Sequence, residues 1–208
     1  MSPPAPRRSV PLWLPVLAAV AFVVGFGVPV ARYVRKRLWA SQRPTVSEVK
    51  SHLKSLYTAE RAYLLEHDVY DEDMARVGFW PEWENRYTYF SAATGRVLPK
   101  AEREHPSSPF QVAPADPSGP DYRGAFNTFA DTGCPVTPVT LSTGGTAGLG
   151  VTPADGSRGP IFIAAAAANI DDDATLDCWS IASEERRDAD GNPIAAGVPY
   201  NEVNDVVR

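Results

Sequence analysis

Residues 10–31 (VPLWLPVLAAVAFVVGFGVPVA) contain no charged side chain, and this stretch limits what the chain can fold into more than any other. A helix of that length, rising about 1.5 Å per residue, crosses a hydrocarbon core of about 30 Å. Arg7 and Arg8 precede it, and Arg32, Arg35, Lys36 and Arg37 follow it. Trp13 and the Tyr33 and Trp39 pair fall near the two ends, where amphipathic rings prefer the interface. Pro11, Pro15 and Pro29 would be awkward in a soluble helix but are tolerated in a transmembrane one. A cleaved signal peptide is the rival reading. Its apolar region is normally shorter, and Pro29-Val30-Ala31 is a poor substitute for an A-x-A cleavage site. The division that follows is a short basic tail (1–9), a transmembrane helix (10–31), a basic juxtamembrane linker (32–44) and one domain (45–208).

The chain has 208 residues, 44% of them hydrophobic, with 5 Trp, 8 Tyr and 8 Phe, so the part after the span can bury a core. The net charge of −5 argues against a nucleic-acid partner, which would call for a basic face. Arg and Lys crowd the first fifty residues while Asp and Glu dominate the remainder, as a basic membrane flank before an acidic soluble body would require. Cys134 and Cys178 are the only cysteines. Outside the cytoplasm such a pair usually forms a disulfide, the other reading being two buried thiols. Without a nearby His they cannot supply four zinc ligands. The two signals disagree on orientation. The larger basic cluster after the span favours a cytoplasmic domain, whereas the cysteine pair favours the outside, and the outside is the reading adopted.

Residues 45–66 (TVSEVKSHLKSLYTAERAYLLE) predict an amphipathic helix, with Val46, Val49, Leu53, Leu56, Ala59 and Tyr63 on one stripe. Lys50, Lys54, Glu60 and Arg61 are assigned to the other faces, and Thr45 with Glu48 fits a capping box after Pro44, where a break from the anchor is expected. Residues 86–92 (RYTYFSA) alternate as a strand, and 125–130 (AFNTFA) are read as a second. Residues 99–122 read as an irregular loop and 131–160 as a long, mobile one. Residues 161–168 (IFIAAAAA) are apolar on both faces, which suits a buried central strand, with 175–183 as its antiparallel neighbour across a 169–174 turn. Beyond Glu184 a polar tail is expected to wrap the surface. The fold class is α+β, a helix laid on a small antiparallel sheet.

Chemistry is sparse. Asp171, Asp173, Thr175 and Asp177 place oxygens at alternate positions, as the first half of a calcium loop does, and calcium is the one cofactor raised. Leu176 and Ala182 stand where such a loop has Gly and a bidentate Glu, and a solvated hairpin turn is the competing reading. Asp188, Asp190, Gly191 and Asn192 make a second turn of this kind. His52, His67 and His105 are read as surface or interface side chains, and Glu82 and Glu84, set among Trp80, Pro81 and Trp83, as a packed corner. The STGG run at 142–145 lacks the Lys of a phosphate loop. No catalytic residue is assigned.

The order of apolar span, amphipathic helix, polar loop and late strands resembles type IV pilins and the pseudopilins of type II secretion. SHLKSLYTAERAYLLEHDVY (51–70), VGFWPEWENRYTYF (77–90), FIAAAAANIDDDATLDCWSI (162–181) and GNPIAAGVPYNEVNDV (191–206) look like a pilin-like group from myxobacteria. This resemblance implies a helical spine packed on the sheet, a Cys134–Cys178 disulfide, and a calcium loop near the sheet as pseudopilins have. It implies a non-enzymatic subunit or accessory of a pilus (fimbrium) or secretion machine. Its partners would be the membrane and other pilin-like subunits, and its place the bacterial inner membrane, with a periplasmic domain. Prepilins carry Gly-Phe with Glu at the fifth mature position. Here Gly25-Phe26 is followed by Val30 at that place, so a pilin-derived domain on an uncleaved anchor is expected. The alternative is a membrane-tethered ligand-binding module that does not assemble into filaments.

Overall fold

The computed structural model describes residues 46–82, 85–116, 126–170 and 175–204, so the segments 1–9, 10–31 and 32–44 and the Pro44–Thr45 cap lie outside it. Among the described residues no helix is long and apolar enough to cross a membrane. Helix α1 spans Val46–His67 and buries Val49, Leu53, Leu56 and Glu60. The steps of four, three and four follow the helical period. The helix stops where Asp68 takes a left-handed φ of 60° and returns its N–H to the Leu64 carbonyl at 2.8 Å.

Ten strands follow among the described residues: β1 (Thr88–Phe90), β2 (Val112–Ala113), β3 (Val139–Thr140), β4 (Thr146–Ala147), β5 (Gly150–Thr152), β6 (Ile161–Ala168), β7 (Asp177–Ala182), β8 (Arg186–Arg187), β9 (Pro193–Ile194) and β10 (Tyr200–Val203). The main sheet runs β10-β7-β6-β1-β2, with β5 also on β6. Strand β6 organises it. Along one side it pairs antiparallel with β7, Ile163 to Ala168 opposite Ala182 to Asp177. Along the other it pairs first with β5 and then with β1, which meets Ala165–Ala167. Every residue of β6 is buried, as the unbroken apolar run predicts.

Alternation splits β6 between two cores. Phe162, Ala164, Ala166 and Ala168 join Leu53, Leu56, Tyr87 and Tyr89 beneath α1. On the opposite face, Ile161 and Ile163 pack with Val139 and Ala147, and Ala167 with Phe90 and Val112. Four expectations fail here, the first being the irregular loop at 99–122, which holds a 3-10 turn at Lys100–Glu102 and β2. Residues 126–129 form no strand; Phe126 and Phe129 pack against the Phe90 cluster and lead into a 3-10 turn at Ala130–Thr132. Their spacing of three suits a turn, not the period of two that a strand needs. Residues 131–160 are not one long loop, since they hold the β3–β4 hairpin and β5 and cover the back of the sheet. After Glu184 the chain makes the β8–β9 hairpin, and β10 then pairs with β7. Gly197 allows this return. Its φ is 68°, and a Cβ there would lie 2.7 Å from the Tyr57 ring of α1.

Candidate functional site

The chemistry-bearing side chains gather in three places. The first lies at the start of β7. Asp177 Oδ2 accepts from the Tyr87 hydroxyl at 2.6 Å and from Trp179 Nε1 at 2.6 Å, while Oδ1 accepts from Asn201 Nδ2 at 2.9 Å. Burial, and then the Asp177 carboxylate beside it, push the Tyr87 hydroxyl well above its ordinary range, so it remains a donor. Burial does the same to Tyr89, whose hydroxyl meets His52 Nδ1 at 2.8 Å. Of the four oxygen donors expected for calcium, Asp171 and Asp173 lie outside the described residues and Thr175 is described just before β7. Asp177 is fully buried and already holds three donors, which makes it a core acceptor. Among the described residues no three His, Cys, Asp or Glu side chains gather as a metal group.

The second place joins β10, β7, β8 and the chain before β3. Glu202 Oε1 accepts from the Thr137 N–H at 2.8 Å and from the Ser180 hydroxyl, and Oε2 accepts from Thr137 Oγ1 at 2.7 Å. Arg186 donates to the Thr137 carbonyl at 2.8 Å, to Ser180 Oγ at 2.7 Å and to Glu202 at 3.4 Å. Burial holds the guanidinium below its ordinary value against the opposing pull of Glu202. Beside this network Cys134 and Cys178 form a disulfide with Cα atoms 5.8 Å apart. It ties the segment before β3 to β7 across a sequence separation of 44.

The third place is Glu60, whose assignment to an outer face of the helix is wrong. It continues the buried stripe of Val49, Leu53 and Leu56 at 0% exposure. Oε2 accepts the Asp71 N–H at 3.3 Å, and among the described residues Oε1 has no partner. Burial pushes the carboxyl up to about 8; the Asp71 N–H opposes this, while the Asp71 and Glu72 charges add to it. The spacing of 49, 53, 56 and 60 was the available signal, and polarity masked it.

None of this forms a catalytic constellation. His67 packs on the Tyr63 ring, and His105 is exposed. The STGG run is the β3–β4 turn, closed by Leu141 N–H to Gly145 O at 2.8 Å. Asp188 closes its own turn by accepting the N–H of Asp190 and of Asn192. Glu82 is exposed and Glu84 lies outside the described residues.

The arrangement is a helix locked on a sheet by apolar packing, buried polar clamps and one disulfide, and the comparisons agree with it. A family described as Type IV pilin PilA matches residues 40–177. The chain belongs to the type IV pilin family. It is 31% identical over 204 residues to the type IV major pilin protein PilA of Myxococcus xanthus (strain DK1622), covering 92% of this chain and 88% of that one. As a type IV pilin it is a structural protein of the pilus and not an enzyme. The family match ends at Asp177, so the disulfide partner Cys178 and the Arg186–Glu202 clamp lie beyond it.

Proposed function

We propose that this pilin is anchored in the bacterial inner membrane by residues 10–31, with its domain outside the cytoplasm. There it serves as a subunit or accessory of a type IV pilus or a type II secretion-like system, in contact with other pilin subunits. The Cys134–Cys178 disulfide carries the placement, because such bonds persist in oxidising compartments. Family membership supports the pilin partners. The uncharged span and its basic flanks support the anchor.

Thiol labelling of intact cells and permeabilised membranes, with and without reductant, tests the placement. Labelling of both cysteines only after reduction is the expected result. Labelling without reductant, and only once the inner membrane is opened, would put the domain in the cytoplasm and end the pilus reading. Cross-linking before purification tests the partners; recovery without any other pilin subunit would remove assembly.

A further inference from the structure

We propose that the seam between the last turns of α1 and residues 70–73 is a pH-sensitive latch, closed while Glu60 carries a proton and loosened when that proton leaves. Glu60 reaches the seam from the buried face of α1, and its one bond is the Asp71 N–H at 3.3 Å. A carboxyl group makes that single bond tolerable inside the fold; a carboxylate would leave the buried Oε1 charged and without a donor.

The charges that act most strongly on Glu60 are acidic and oppose a carboxylate. From the segment after the helix come Asp71 and Glu72. Arg76 is the cation of that segment, and it pairs with Asp71 at 2.5 Å and Asp73 at 3.8 Å. On α1, Arg61 donates to the Tyr70 hydroxyl at 3.4 Å, with Glu184 also near it, and Tyr63 donates to Asp71 at 3.3 Å. Strands β5 and β6 beneath this stretch (GVT and IFIAAAAA) contain no titratable side chain, and the acid of β7, Asp177, is bonded to Tyr87, Trp179 and Asn201.

The two sides of the seam are held unequally. Residues 72–74 are pinned to the sheet: Glu72 Oε1 accepts the Val151 N–H at 2.9 Å, the Glu72 carbonyl accepts the Ser91 hydroxyl at 2.5 Å, and Met74 N–H bonds the Phe110 carbonyl at 2.9 Å. The end of α1 and the 68–71 turn are held by Glu60, by Tyr63 and Arg76 on Asp71, and by Tyr70 against Phe162, and they carry the exposed Leu65 (79%) and Val69 (51%). Loss of the proton therefore frees the helix end while the sheet side stays in place.

The direction with pH follows from the raised carboxyl. Its effect is fully stabilising below 4.5, weakens as pH rises, and is spent above about 8. Between those limits one bound proton changes the closing equilibrium by at most about tenfold per pH unit.

Hydrogen exchange of the full chain in detergent micelles, corrected for intrinsic rates, reads the latch. Protection of residues 61–71 in the wild type should drop at least about tenfold from near pH 6 to near pH 9. Protection of β6 should hold, and Glu60→Gln should keep the seam protected at both. Equal protection of the wild type at both pH values, or an equal loss in Glu60→Gln, would overturn the proposal. If Glu60→Gln does not fold, carboxyl-carbon NMR titration of the wild type decides. A Glu60 midpoint near neutral or above supports the latch, and one among the ordinary glutamates refutes it.

Discussion

The Glu60 and Glu202 side chains are both buried, yet their two surroundings treat them differently. Glu202 sits among Thr137, Ser180 and Arg186, so each of its oxygens has a donor and a cation lies beside it. Glu60 has one backbone N–H on one oxygen and acidic neighbours. A buried carboxylate is tolerable when donors and a countercharge replace water, and a proton is needed where they do not. The Glu202 clamp, reinforced by the disulfide, therefore fastens the C-terminal strand permanently. The Glu60 seam holds the helix end conditionally.

The sharpest way to break the comparison is to cut the permanent side. Replacing both Cys134 and Cys178 by Ser should cost about 4 kcal/mol, from the entropy of a loop of this length, measured by denaturant unfolding. Arg186→Ala should cost roughly 3 kcal/mol by the same assay, because Glu202 keeps its neutral donors and loses its cation. The double change Arg186→Met with Glu202→Leu should cost less than Arg186→Ala alone. On the conditional side, Glu60→Gln should gain on the wild type by at most about 1.4 kcal/mol per pH unit between pH 4.5 and about 8. A gap that does not change with pH would erase the difference between the two sites. The smallest effect is expected from Tyr87→Phe, about 1 kcal/mol, since Asp177 keeps Trp179 and Asn201. Adding calcium or a chelator should leave that cost unchanged, because Asp177 is occupied by donors from the core.

Much of the fold was legible. The stripe through Val49, Leu53 and Leu56 and the apolar run of β6 each lie within one local pattern, and each appears where that pattern puts it; the cysteine pair was legible because the sequence holds just two cysteines. What was misread has a shared cause. Residues 131–160 and the tail after Glu184 are rich in Pro, Gly and polar side chains, which locally signal loops. Their order comes from partners far along the chain: Ile163 for Gly150, Ser180 for Tyr200, Thr137 for Glu202. Two-residue strands such as β3 and β8 are too short to show a period at all.

By itself the sequence determined the apolar span, the helix and the central strand. These follow from side-chain hydrophobicity repeated at a fixed local spacing, which a chain carries whether folded or not. Only the tertiary structure decided which acids are buried and which donors they meet. Glu60 and Glu202 read alike as letters. Their burial and partners are set by contacts with Asp71 on one side and with Thr137, Ser180 and Arg186 on the other. Solvation and hydrogen bonding are properties of the packed neighbourhood, and that neighbourhood exists only once distant segments have met.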